Sequence, residues 1–240
     1  MENLVEIKHF KMVFGKKTVI KDLNFEVKKG EIFGFLGGNG CGKTTTIRAL
    51  LGLYHQTDGE LLINGRPYDS EDDRIKIGYL PEERGLYRKE KVIDTMIYFG
   101  ELKGIKNPRE WSLKYLKRVN LADKADERVD KLSGGQQQKV QLGLTIMDDP
   151  DLLILDEPTK GFDPVNRRLL MEIIDEHHKK GSTIIFITHY MDEVERFCNR
   201  AILLKDGVAH AYGTIKEIRA KFGGKSLDDI FINVYGEQDA

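Results

Sequence analysis

The chain has 240 residues, 40% apolar and 32% charged, the composition of a folded protein able to bury a sizeable core. Its 38 Lys and Arg nearly cancel 39 Asp and Glu, which excludes a global basic field for gathering nucleic acid or an anionic membrane surface. Two distant cysteines, Cys41 and Cys198, exclude a disulfide framework and a zinc spacing, and the apolar runs LLIL and IIFI fall far short of the roughly 18 to 20 residues that cross a bilayer.

The N-terminal MENLVEIKHF lacks the basic-then-apolar order of a signal peptide, so a cytosolic chain is expected. VEIKHFKMVF, LNFEV and ELLING read as an antiparallel β layer. EIFGFLG (31–37) is near-continuously apolar, as a strand buried on both faces is, and the helical pattern TTTIRALLGL follows it. From 84 to 147 the apolar positions recur every three or four residues, in KVIDTMIYFGELKG and REWSLKYLKRVNLA, which reads as a helical insert. Strand and helix then alternate again through DLLILD (151–156), VNRRLLMEIIDEHHKK, STIIFIT (182–188) and RAILLKD (200–206). SLDDIFINVYGEQDA closes the chain as a docking helix with a frayed end. The predicted architecture is α/β: a parallel-sheet core and β layer from 1–83 and 148–212, a helical subdomain at 84–147 and a helical tail at 213–240.

The stretch GGNGCGKTTT (37–46) lies between a strand and a helix and fits G-x-x-x-x-G-K-[ST]. Gly37, Gly38, Asn39, Gly40, Cys41 and Gly42 leave backbone N–H groups bare to close around phosphate oxygens, and the helix adds its positive N-terminus. Lys43 is placed to reach the β- and γ-phosphates, with Thr45 beside it, and the Thr44 hydroxyl to hold Mg²⁺. In LLILDEP, Asp156 ends an apolar strand and is the expected Mg²⁺ partner, with Glu157 as general base for an attacking water. Taken alone, that acidic pair also suits a turn before Pro158. In LSGGQQQKVQLGL, Ser133 can cap a helix whose Gly134 and Gly135 amides are exposed, and S-G-G alone is a plain helix cap.

With these motifs together, the chain resembles the nucleotide-binding domain of ATP-binding cassette (ABC) proteins, whose signature is LSGGQ. The resemblance covers almost the whole chain. It implies a P-loop NTPase (RecA-like) core, Mg²⁺-dependent ATP hydrolysis, and a signature in which Ser133, Gly134, Gly135 and Gln136 face the γ-phosphate held by an opposite subunit. His189 takes the place of the switch histidine, Asp163 in KGFDP that of the D-loop residue linking the two sites, and Phe14 that of the aromatic stacked on adenine. A core position is the alternative for Phe14, and His177 and His178 read as surface or core residues.

Three positions depart from the family pattern: Gly38 replaces a proline, Cys41 an alanine or serine, and Glu82 the usual Q-loop glutamine, the last adding charge and losing an amide donor. Glu82 stays a candidate ligand for Mg²⁺. Cys41, near a helix N-terminus and Lys43, is expected to alkylate faster than Cys198.

YLPEERGLY and SLDDIFINVYG are similar to ATPase subunits of ABC-2 type exporters, implying a homo- or heterodimer under a separately encoded integral membrane permease, peripheral on the cytoplasmic face, with no nucleic acid and no membrane insertion. The alternative is a soluble ABC ATPase, such as one serving iron–sulfur cluster assembly. DNA-maintenance members carry long coiled coils that have no counterpart between Gly42 and Ser133, and translation members carry two cassettes in one chain. A small-molecule kinase would leave LSGGQ without a purpose.

Overall fold

In the first hairpin, β1 (Asn3–Phe14) and β2 (Lys17–Lys28) pair antiparallel, and a bulge resets the side-chain alternation midway. His9 adopts φ 48° where the register shifts, so Val5 and Ile7 before it and Phe10 and Met12 after it are all buried despite their opposite parity.

This computed structural model describes residues 2–71, 74–83 and 85–236. They divide into two compact units, Met1–Ile75 with Thr183–Ala240, and Lys76–Ser182. In the first unit, β3 (Ile32–Gly37) is buried at every position and runs parallel to β7 (Thr183–Thr188) on one side and β8 (Arg200–Lys205) on the other. β9 (Val208–Thr214) is antiparallel to β8 and meets β2 at Asp22↔Val208, while β4 (Asp58–Ile63) pairs antiparallel with β1. The unit's helices are α1 (Lys43–Leu50), α6 (Met191–Phe197), α7 (Ile215–Lys221) and α8 (Leu227–Tyr235). Parallel strands buried on both faces explain the continuous apolar runs, and the antiparallel ones explain the alternating segments.

The second unit holds the short parallel pair β5 (Ile77–Leu80) and β6 (Leu152–Asp156), with α2 (Val92–Leu102), α3 (Pro108–Arg118), two 3₁₀ turns, α4 (Gly134–Ile146) and α5 (Pro164–Lys179). α5 has clear end signals: Asp163 accepts the Val165 and Asn166 N–H groups at 2.9 Å each, Pro164 opens the helix, and Lys179 stands at its negative end. α4 is buried from Gln137 to Ile146 although four of those residues are Gln or Lys. Three of the four donate inside: Gln137 Nε2 to the Leu132 carbonyl at 2.9 Å, Lys139 Nζ to that of Val119 at 3.0 Å and Gln141 Nε2 to that of Glu83 at 3.2 Å.

The stretch 84–147 holds α2, α3, α4 and the two 3₁₀ turns joined by irregular segments, Arg84 lying outside the described residues. It clusters with β5, β6 and α5 rather than by itself, so the compact units are cut differently from the sequence division. The tail from 213 contains α7 and α8, and its residues 237–240 lie outside the described residues. β5 and β9 were not expected: IGYL is very short, and VAHAYGT mixes Ala and Gly with exposed polar positions. Among the described residues no helix is long and apolar enough to cross a membrane.

Candidate functional site

The first unit builds a loop shaped for phosphate. β3 ends at Gly37 and α1 begins at Lys43, so residues 38–42 must turn the chain onto the helix axis. Gly42 caps α1 at φ 112° without a side-chain cap, and a Cβ there would come 2.4 Å from Ile20 Cδ1, so the position admits only glycine. The first-turn amides of α1 have no acceptor within the helix, which makes its end an anion site. Lys43 is buried and its Nζ donates to the Gly37 carbonyl at 2.7 Å and that of Gly38 at 3.0 Å, so the loop's own carbonyls aim the ammonium. Thr46 is spent on the helix, its hydroxyl donating to the Gly42 carbonyl at 2.9 Å.

Neighbouring strand ends supply more of the expected residues. Leu36 pairs with Thr188, so Gly37 and His189 leave adjacent parallel strands at their carboxyl ends, where open α/β sheets bind ligands. His189 is exposed, with its ring tilted against that of Tyr190 at 4.3 Å. Phe14 is 45% exposed and leans edge-on against Tyr54 at 5.4 Å instead of packing inward. A cleft of about 540 Å³ opens beside loop residues 38–41, walled by the start of β2 and the β8–β9 turn, with Lys17, Lys21 and Lys205 around it. The expectation of a reactive Cys41 meets a loop that buries it: Cys41 and Cys198 are 7% and 8% exposed, and burial pushes the Cys198 thiol well above its ordinary pKa.

The second unit gathers the carboxylates. β6 carries the buried Asp156 at its end, and Glu157 follows at φ 50°, only 6% exposed. Among the described residues, every other non-glycine at positive φ is Asn, Asp or His, which tolerate that region; a glutamate does so at a cost of order 1–3 kcal/mol, a strain that collects at functional positions. Leu80 pairs with Leu155, so Glu82 and Glu157 emerge from paired strand ends. Lys160 Nζ donates to Glu82 Oε1 at 2.6 Å, which offsets the extra charge of a Q-loop glutamate.

Ser133 and Gln136 form a reciprocal capping box: Ser133 Oγ accepts the Gln136 N–H at 3.3 Å and Gln136 Oε1 accepts the Ser133 N–H at 2.8 Å. Accepting leaves the Ser133 O–H proton for donation, and Gly134 and Gly135 occupy the helix's first turn. A Cβ on Gly135 would lie 3.2 Å from the Phe162 ring, so that position is kept small by the loop before α5. Asp163 acts as the α5 cap, and the Asn166 N–H above all holds its carboxyl below the ordinary range.

Lys160 and Tyr235 are the residues that sequence reasoning did not single out. Lys160 sits inside KGFDP, where only its charge marked it, and nothing in SLDDIFINVYG pointed Tyr235 toward the loop at 37–46. For a metal, the candidate oxygen donors are the Thr44 hydroxyl and the carboxylates of Asp156 and Glu82. Among the described residues no group of three or more His, Cys, Asp or Glu could cage an ion. Hydroxyl and carboxylate oxygens of this kind suit Mg²⁺, which keeps its waters and takes its remaining ligands from substrate phosphates.

A model of the ABC transporter family matches residues 20–160. An uncharacterised ABC transporter ATP-binding protein of Methanocaldococcus jannaschii is 44% identical over 92% of this chain and 81% of its own length. A Nod factor export ATP-binding protein of Paraburkholderia xenovorans is 36% identical over 96% and 77%. Among solved structures, a dimeric ATP-binding cassette in a post-hydrolysis state with ADP and Pi superposes with a TM-score of 0.78, at 26% identity, covering 88% of this chain and 98% of that one.

Proposed function

The chain belongs to the ABC transporter family of ATP-binding proteins, and from that premise we propose that it is the ATP-hydrolysing subunit driving export through a separate integral membrane protein. The observation that carries the proposal is the loop before α1, with its uncapped helix end and a buried lysine aimed by the Gly37 and Gly38 carbonyls.

ATP is the substrate. Backbone amides from 37–45 cradle its phosphates, Lys43 offsets their charge and Phe14 stacks on adenine. Thr44 and Asp156, with Glu82 as a further candidate, hold Mg²⁺, which when bound neutralises charge on the transferring phosphoryl group. Glu157 accepts the proton of the attacking water, and its left-handed backbone fixes where that carboxylate stands. His189 contacts the γ-phosphate and responds to its loss. Ser133, Gly134, Gly135 and Gln136 donate to the γ-phosphate of a partner cassette, and Asp163 lies at the subunit junction, so ATP closes a dimer and hydrolysis opens it. Since this chain carries both complementary surfaces, a homodimer is the simplest assembly.

The membrane partner docks on an aromatic patch of the second unit, on the cytoplasmic face. Tyr87 lies 6.1 Å from the Tyr98 ring and 5.9 Å from that of Phe99, and Tyr87, Tyr98 and Leu102 are exposed. An exposed apolar cluster of this kind marks an interaction surface. Two measurements test the reading. Lys43→Ala should lower Mg²⁺-ATP turnover by at least about 10²-fold, as loss of a group that stabilises transition-state charge does; wild-type turnover would refute the phosphate loop. Tyr98→Ser should reduce co-purification with the membrane partner, and unchanged co-purification would refute the docking surface.

A further inference from the structure

The last helix reaches back to the phosphate loop. Ser226 caps α8, which buries Leu227, Ile230 and Val234, and Tyr235 at its end lays its ring on Gly38. A Cβ on Gly38 would fall 2.7 Å from Tyr235 Cε1 and 3.1 Å from Cδ1, so the contact exists only because that residue is glycine. The Tyr235 hydroxyl donates to the Leu204 carbonyl and faces the Cys41 thiol. Leu204 is itself the strand partner of Gly37. Phe231 stacks on the tyrosine at 4.4 Å, and Lys205 donates to the Val234 carbonyl while standing 5.7 Å from the ring, so the helix end is held from both sides. Gly38 and Cys41 are two of the three positions that depart from the family pattern; both touch Tyr235.

We propose that Tyr235 is a positioning residue for nucleotide binding, pinning the first half of the phosphate loop to β8 before phosphate arrives. The chain of contacts is direct. Tyr235 fixes Gly38 through its ring and ties its hydroxyl to Leu204, the strand partner of Gly37, and the Gly37 and Gly38 carbonyls in turn aim Lys43. A loop ordered in advance loses less conformational freedom on binding, so the contact is worth affinity rather than chemical rate.

The inference rests on the phosphate-loop reading, and calorimetric titration with Mg²⁺-ATP separates the two. Tyr235→Phe keeps the ring and removes the hydroxyl contacts; it should weaken ATP binding by about five-fold, the scale of one neutral hydrogen bond. Tyr235→Ala should weaken it by roughly 20-fold or more, with turnover at saturating ATP within two-fold of wild type in both variants. Gly38→Ala should weaken binding in the wild-type background by displacing the ring, yet cost nothing further in Tyr235→Ala, a coupling that a purely structural tyrosine would not produce. Cys41 should also alkylate faster in Tyr235→Ala, with Cys198 as internal reference. Wild-type ATP affinity in a folded Tyr235→Phe, or an equal Gly38→Ala penalty in both backgrounds, would overturn the proposal even if Tyr235→Ala fails to fold. A wild-type chain that binds no ATP would instead overturn the phosphate-loop reading, and this inference with it.

Discussion

Replacing Ser133 by Asp separates the two roles that the signature's serine can play. Ser133 is an exposed helix cap, and Asp caps a helix as well as Ser does, so the monomer's stability should change by less than about 0.5 kcal/mol. Opposite a partner's γ-phosphate the same change is severe. A carboxylate about 4 Å from one phosphate charge, at an effective dielectric constant of about 20, is repelled by about 4 kcal/mol. A two-fold symmetric dimer meets the contact twice, which gives roughly 8 kcal/mol, or about six orders of magnitude in association. Even a quarter of that leaves about 30-fold. The assay uses the Glu157→Gln background, in which the water lacks its base and ATP should hold two chains together by mass action. On a sizing column with light scattering, that variant should run as a dimer with Mg²⁺-ATP, and Ser133→Asp/Glu157→Gln as a monomer that still binds ATP. A dimer persisting in the double variant would show that LSGGQ is a cap and nothing more. Gly135→Asp is the poorer probe, because its Cβ would already crowd the Phe162 ring at 3.2 Å.

Glu82→Gln should keep ATP binding and at least partial turnover, and change stability by less than about 1 kcal/mol, because the Lys160 pair it breaks is exposed to solvent. Binding without any hydrolysis would make Glu82 the catalytic carboxylate and demote Glu157. Asp163→Ala should lower stability at pH 7, since it removes the acceptor for two helix amides, and the loss is read as a lower denaturant midpoint. Its carboxyl titrates below the ordinary aspartate range, so this contribution is complete above that range and fades as pH falls through the folded value. His177 has the opposite charge logic. Burial first, then Lys180 and Arg118, hold its pKa below the ordinary value, against Asp149 and Glu176, which favour protonation. As pH falls from about 7 to 5 the unfolded chain takes up this proton before the folded one does, so stability should decline, and His177→Gln should flatten that decline. An unchanged pH slope would refute it.

The phosphate loop and the strand bearing Asp156 were legible in the sequence because their physics is local. Glycine spacing, the switch from strand to helix period, and an acidic residue ending an apolar run all lie within a dozen or so neighbouring residues. The α5 helix was legible in VNRRLLMEIIDEHHKK for the same reason, while Asp163, read from the sequence only as a D-loop residue, also caps it. What the sequence could not supply were contacts between residues far apart along the chain. Lys139 and Gln141 of α4 are polar yet buried, and their side chains answer the carbonyls of Val119 and Glu83, 20 and 58 residues away. Glu82 looked like an unbalanced charge until the fold set Lys160 against it. Burial of Cys41, against the reactivity expected from its helix end, came from surroundings that include a tyrosine nearly two hundred residues onward. Backbone conformation also belonged to the tertiary structure: a strained φ at Glu157 leaves no mark in composition or period, because the packing around it holds a glutamate where an isolated chain would prefer asparagine or glycine.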